Sequence, residues 1–263
     1  MTEISAAMVK QLRDATSAGM MDCKRALQET DGDFDAAVKL LRERGMAQAA
    51  KRAGRETSEG RVVVSTGDGV GTIVAVACET EPVSKNEEFQ AFVDRVLETV
   101  ASGGDSSSLE AERVELSAKL GENVQVVGTK RMEASDGEVL ASYVHSPANK
   151  VGALVRAKGD PDTARSLALH LTFARPTYGS RDEVPSELVD AEREILQRSE
   201  EVQSKPENVR DKIVDGMLNK RFYGESVLTE QVWYRPEQAS GTVAQVLKEH
   251  GVELVDYAWY SVS

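Results

Sequence analysis

Phe34, Ala37, Val38 and Leu41 fall at the i, i+3, i+4, i+7 spacing of an amphipathic helix. With their neighbours they make residues 1–45 read as three short helices. Ser5 is placed to cap the first, with Ile4 and Val9 as a hydrophobic staple. Met20, Cys23 and Leu27 are expected on one face of the second. Asp33 caps the third, Arg42 and Arg44 occupy its last turn, and Gly45 is expected to end it. A unit this small has a thin core, so apolar residues left outside it are candidates for a partner surface.

From Met46 to Gly60 the chain turns Ala-, Lys- and Arg-rich and then polar, which predicts a linker. Val62-Val63-Val64 and Ile73-Val74-Ala75-Val76 are strand-like runs around Asp68-Gly69, a strong hairpin signal. A helix over Glu87–Val100 follows. The same order returns as Val139–Tyr143, Val151–Val155 and a helix from about Pro161 to Ala174, and Val70-Gly71-Thr72-Ile73-Val74 matches Val151-Gly152-Ala153-Leu154-Val155 in pattern. This weak repeat predicts two related α+β subdomains. Gly103–Ser108 is a break before a helix over 109–121.

The acidic stretch 182–223 reads as a helical hairpin. Leu188, Ala191 and Ile195 form one apolar stripe and Val209, Ile213 and Met217 another, with Ser204-Lys205-Pro206 as the turn. Its many charges are read as a solvated face. Gln231–Tyr234 is strand-like, Val243–His250 helical, and Tyr257–Tyr260 a final strand.

Composition narrows the function. The formal charge of -12 argues against a general nucleic-acid binder, which needs a basic surface. Cys23 and Cys78 are too few for a zinc ligand set or a disulfide framework and read as small core residues of a reducing compartment. The start lacks the basic and apolar segments of a signal peptide, and no run is long enough to span a bilayer, so a cytoplasmic chain without a membrane is expected.

Catalytic chemistry is hard to assemble. There is no phosphate loop of the Gly-x-x-x-x-Gly-Lys-Ser/Thr type, and Gly67–Gly71 lies between strands, where a hairpin turn accounts for it. Asp31-Gly32-Asp33 begins like a calcium loop, but Ala36 and Arg42 occupy the positions needing glycine and glutamate. His145, His170 and His250 lack metal-ligand spacing. No catalytic residue, metal or cofactor is expected, and a binding protein is the better class. One loop stands out: Cys78–Phe89 leaves a buried strand and enters a helix, with Ser84 and Glu87 spaced as a capping box and Pro82 stiffening the approach.

The run Leu12-Arg13-Asp14-Ala15-Thr16-Ser17-Ala18-Gly19-Met20-Met21-Asp22-Cys23-Lys24-Arg25-Ala26-Leu27 resembles the opening motif of the elongation factor Ts family. The likeness continues through the loop at 80–89, Gly121-Glu122-Asn123, Tyr143-Val144-His145, Ala168-Leu169-His170 and Lys205–Gly216. The resemblance implies an α+β chain: a ubiquitin-associated-like three-helix docking domain with the start of a linker at 1–55, an N-terminal core subdomain at 56–140, a C-terminal core subdomain at 141–181 and 224–263, and a coiled-coil-like hairpin inserted at 182–223. It also implies an exchange factor that binds GDP-bound elongation factor Tu, disturbs its magnesium and phosphate site, and lets GTP enter. No direct nucleic acid is implied, and a dimeric complex is left open.

By the same resemblance Lys10, Arg13, Met20 and Met21 match positions that dock on the partner's nucleotide domain. Residues 1–55 carry ten Lys/Arg against eight Asp/Glu, a local basic excess of two in an acidic chain. Thr80, Glu81, Pro82 and Val83 match the segment that intrudes beside the partner's magnesium, and His145 and His170 belong to the subdomain that touches another partner domain. The family usually reads Thr-Asp-Phe-Val where this chain reads Thr80-Glu81-Pro82-Val83, so the aromatic wedge is replaced by a smaller, rigid plug. Gln231-Val232-Trp233-Tyr234 departs likewise from Gln-Pro-Phe-Val. A subunit that binds without catalysing exchange is the alternative that the altered loop keeps alive; an enzyme using Glu81, His145 or His170 is a third.

Overall fold

The computed structural model describes residues 4–16, 18–234 and 239–262; Ser17 of the opening motif and the termini at 1–3 and 263 lie outside them. The chain begins with α1 (Ala6–Thr16), α2 (Met20–Glu29) and α3 (Phe34–Arg52) around a small core of Val9, Leu12, Cys23, Ala26, Leu27, Ala37 and Leu41. Ser5 Oγ accepts from Met8 N at 3.2 Å, and Asp33 Oδ1 accepts from Ala36 N at 3.0 Å, so both expected caps form.

The expected end at Gly45 and linker from Met46 are corrected. Helix α3 runs unbroken through Gly45 to Arg52, because Met, Ala, Gln, Lys and Arg are strong helix formers. Gly45 marks a close approach instead of a stop. It faces α6 (Glu110–Leu120), where an added Cβ would lie 2.9 Å from the Ala118 Cβ.

Next come β1 (Glu59–Gly67) and β2 (Val70–Cys78), joined by Asp68-Gly69 with both residues at positive φ, the turn that matches strand twist. After α4 (Glu81–Ser84), α5 (Glu87–Ala101) and α6, β3 (Gln125–Glu133) returns antiparallel beside β2. This third strand is absent from the sequence reading, because Thr129-Lys130-Arg131 interrupts its apolar pattern. The second sheet repeats the plan: β4 (Glu138–Val144) pairs with β5 (Val151–Lys158), then α7 (Pro161–Ala174) follows, and β6 (Glu253–Ser261) lies beside β5. The whole of β4 belongs to this sheet, so a division at 140/141 would cut through a strand; the break falls before Glu138.

The repeat extends to detail. The ladder slips between Ala75 and Val76 in one sheet and at the matching Arg156 and Ala157 in the other. The two sheets pack face to face through Val62, Ile73, Ala75, Ala77, Met132, Leu154 and Val262. Gly71 and Gly152 of the repeated pattern lie at that seam. A Cβ on Gly71 would meet Leu154 and Leu140 of the other sheet, and one on Gly152 would meet Val62. On the outer faces, Val74, Val76 and Cys78 bury Phe89, Phe92, Val93 and Val96 of α5, while Ala153, Val155 and Ala157 bury Leu167, Ala168 and Leu171 of α7. Each fully buried phenylalanine contributes about 1.5–3 kcal/mol. Because β2 and β5 are covered on both faces, they read as continuous apolar runs.

Between α7 and β6 the chain forms the hairpin of α8 (Ser186–Arg198), α9 (Glu200–Gln203) and α10 (Glu207–Met217). A π-helical turn, Leu218–Tyr223, runs into α11 (Gly224–Ser226). Its core is Leu196, Val202, Val214, Met217 and Leu218. The apolar stripe Leu188, Ala191 and Ile195 does not make the hairpin core. It faces outward, with Ile195 63% exposed, because Leu196 is the residue that turns to α10. Gln231–Tyr234 is likewise no strand: Val232 makes a single bridge to Thr242 and Trp233 turns into the core. Helix α12 (Val243–Glu249), capped by a Thr242–Gln245 box, completes the layer outside the second sheet.

Candidate partner-binding surface

The loop after β2 is a compact turn of helix. Thr80 enters it extended, Pro82 sits in the first turn, and Ser84 Oγ donates to Glu81 O at 2.8 Å. The expected Ser84–Glu87 capping box is not made. Asn86 caps α5, its Oδ1 accepting from Glu88 N at 2.9 Å and Phe89 N at 3.3 Å. Val83 is half-buried against the α5 core, whereas Thr80, Glu81 and Pro82 face solvent. Lys85 Nζ lies 2.7 Å from Glu81 Oε1, and this bond holds the Glu81 carboxyl below its ordinary range.

The base of the turn is fixed from a distance in sequence. Glu122 Oε2 accepts from Glu79 N at 3.1 Å and Thr80 N at 3.0 Å, and its Oε1 accepts from Thr80 Oγ1 at 2.5 Å. Cys78, beneath it, has its thiol pushed up to about 12 by burial, with the Glu122 carboxylate adding to the effect.

In the helical unit, Lys10, Arg13, Met20 and Met21 are all exposed, the two methionines by 53% and 64%. Met20 therefore does not share the buried face of Cys23 and Leu27. It opens α2 and projects past that core.

The third region lies on the second subdomain. His145 is exposed and its ring meets Phe173 edge-on with centroids 5.0 Å apart; Phe173 stacks flat on Tyr234 at 4.3 Å. These rings form an apolar edge that the sequence reading misses. The α7 periodicity hides Phe173, and the strand-like pattern of Gln231–Tyr234 gives no sign of the stack. His170 is corrected from the surface to the core. It is 1% exposed, stacked on Trp233, and bonded through Nε2 to Gln231 Oε1 at 3.0 Å and through Nδ1 to Tyr234 N at 3.1 Å. Burial lowers its affinity for a second proton.

These regions are surfaces with stiff supports, not a cleft that encloses a small molecule. Among the described residues no three His, Cys, Asp or Glu side chains gather as a metal site. No helix among them is long and apolar enough to cross a membrane.

Comparison with known proteins agrees with this build. The sequence model of the family described as "Elongation factor TS" matches residues 79–263, from the base of the exposed turn through β6. The chain is 39% identical to elongation factor Ts of Shewanella amazonensis over 259 residues, covering 97% of this chain and 89% of the relative. It is 40% identical to that of Rhodospirillum rubrum, with the same shares covered, and 37% identical to that of Escherichia coli, covering 100% of this chain and 92% of the relative. Three helices followed by two repeated α+β units, matched from end to end by these relatives, make the chain a member of the elongation factor Ts family of translation elongation factors.

Proposed function

We propose that this chain binds the GDP-bound form of elongation factor Tu in the cytoplasm and speeds nucleotide release, carrying out no chemical step itself. The observation behind this reading is the exposed turn at Thr80–Val83. It is helical, stiffened by Pro82, and tied at its base by Glu122, so it presents Glu81 and Pro82 without first having to order a loop. The wedge is smaller than the aromatic one usual in the family, and the Lys85 bond orients Glu81 in its place.

An exchange factor must favour a partner conformation that holds nucleotide and magnesium poorly. The coupling is reciprocal, so GDP weakens the factor as much as the factor weakens GDP. Each tenfold loss of nucleotide affinity requires about 1.4 kcal/mol of differential contact. The helical unit supplies docking through Lys10, Arg13, Met20 and Met21, and the edge of His145, Phe173 and Tyr234 supplies a second contact. His170 supports that edge from beneath. Domain boundaries at 1–55, 56–137 and 138–263, with the hairpin inserted at 182–223, follow from the same reading. The partner is a protein; nucleic acid, metal and cofactor have no direct role.

Release of a fluorescent GDP from elongation factor Tu, followed by stopped flow with and without this chain, tests the reading. Acceleration is expected, and it should fall sharply in the double substitution Glu81→Ala, Pro82→Gly. Binding without acceleration would leave a stabilising subunit as the function.

A further inference from the structure

Glu122 and Asn123 are adjacent in sequence and hold two different parts of the molecule. Glu122 takes the Glu79 and Thr80 amides and the Thr80 hydroxyl, fixing the first residues of the exposed turn. Asn123, 1% exposed, turns the other way. Its Nδ2 donates to Arg55 O at 2.9 Å and Ala53 O at 3.3 Å, closing the chain just past α3. The two halves are cross-tied: Asn123 N donates to Glu79 Oε1 at 2.7 Å, and Arg55 lies 3.5 Å from the same oxygen. Gln125 Nε2 adds a bond to Ala53 O at 2.9 Å. Glu122 is itself set by Ser117, whose hydroxyl donates to its carbonyl, and by the left-handed turn of Gly121 that ends α6.

The geometry points to a positioning latch. Glu122 and Asn123 set the Thr80–Val83 turn at a fixed place relative to the end of α3, so that docking by the N-terminal helices delivers the turn to the partner's nucleotide site in register. This inference rests on the function proposed above and assigns two positioning residues that never touch the partner. The chemistry of Glu122 suits the role. Two acceptor oxygens and no donor let one side chain take two consecutive amides and a hydroxyl, which a turn held by backbone bonds alone cannot do.

Misplacing a reacting or intruding group by about 1 Å costs up to about a hundredfold in rate while leaving remote contacts intact. Glu122→Ala is therefore expected to lower the limiting rate of GDP release at saturating factor by about tenfold or more, with the half-saturating concentration unchanged. Asn123→Ala is expected to do the same, and the double variant to lose no more than the worse single, because one latch is being opened. Glu122→Gln keeps an acceptor for both amides and offers its NH2 to the Thr80 hydroxyl, so it should restore the rate. In the free chain, amide exchange at Glu79 and Thr80 should quicken in Glu122→Ala and return to normal in Glu122→Gln; this reading of the latch also holds if the alanine variant is less stable.

A Glu122→Ala chain with the normal limiting rate, or a Glu122→Gln chain as slow as Glu122→Ala, overturns the latch. The Glu81→Ala, Pro82→Gly chain is run in parallel. If it slows release while Glu122→Ala does not, the latch alone fails. If it leaves release unchanged, the role of the turn fails and the latch with it.

Discussion

His170 Nδ1 accepts the backbone N–H of Tyr234 at 3.1 Å, which leaves Nε2 carrying the imidazole proton and donating it to Gln231 Oε1 at 3.0 Å. Gln231 then spends its own NH2 on Ala174 O and Glu225 O. Every polar atom of this buried chain has a partner, and each bond fixes the direction of the next. The consequence lies on the surface. Tyr234 is pinned at its backbone directly beneath the point where its ring stacks on Phe173.

This tautomer makes stability depend on pH. Because burial lowers the His170 pKa in the folded chain, the unfolded chain binds a proton first as the pH falls. Stability is unaffected by this group above its ordinary pKa near 6.5 and declines below it, by at most about 1.4 kcal/mol per pH unit, until the folded pKa is reached. Urea midpoints measured between pH 8 and pH 5 should show this decline, and it should shrink in His170→Phe. An equal decline in both chains would assign it to other groups.

Legibility in the sequence followed burial. Strands β2 and β5 are readable because their apolar runs are buried nearly throughout, helices α5 and α7 because their buried residues recur at helical spacing, and the half-buried β1 and β4 through the Val62-Val63-Val64 and Val139–Tyr143 runs alone. Strand β3 is not, since Lys130 and Arg131 point to partners outside the core, Asp256 and Ala101. Gly45 misled for a related reason: a glycine needed for helix contact looks the same in one dimension as a glycine that ends a helix. The turn at Thr80–Val83 lies between a buried strand and a helix, as its sequence reads, but its support is invisible there, because Glu122 lies far along the chain and its bonds go to backbone amides that have no side-chain signature.

The two cysteines should differ from surface thiols by orders of magnitude in reactivity. Both are fully buried, and the Cys78 thiol, at about 12, presents almost no thiolate at pH 8. Its Sγ also donates to Thr80 O at 3.4 Å. Ellman's reagent should find no fast-reacting thiol in the native chain and two after denaturation. Rapid reaction of Cys78 in the native chain would show that the turn above it opens freely.

Two glycines in helices should respond oppositely to alanine. Gly216 in α10 has open space around it, so Gly216→Ala gains helix propensity and should stabilise the chain by about 0.5–1 kcal/mol. At Gly45 the same gain meets the Ala118 methyl at 2.9 Å, and overpacking of this kind costs about 1–3 kcal/mol. Gly45→Ala should therefore be net destabilising in thermal unfolding. If both variants rise in midpoint, α3 does not press on α6 in solution as closely as described.

Phe173 offers the sharpest separation of docking from exchange. It is 39% exposed, so its truncation removes less core than an internal phenylalanine would, and the His170 network below it stays whole. What it loses is the flat stack on Tyr234 and the edge contact with His145, which together make the apolar edge of the second subdomain. Aromatic anchors at interface centres cost about 2 kcal/mol or more when cut to alanine, roughly thirtyfold in affinity. If this edge meets elongation factor Tu, Phe173→Ala should raise the half-saturating concentration for GDP release by that factor. The limiting rate should stay the same, since the turn at Thr80–Val83 is untouched. That pattern is the reverse of the one expected for Glu122→Ala, where the limiting rate falls and half-saturation holds. Measuring both variants in one titration series separates grip from push, and a Phe173→Ala chain that saturates at the normal concentration would remove this edge from the interface.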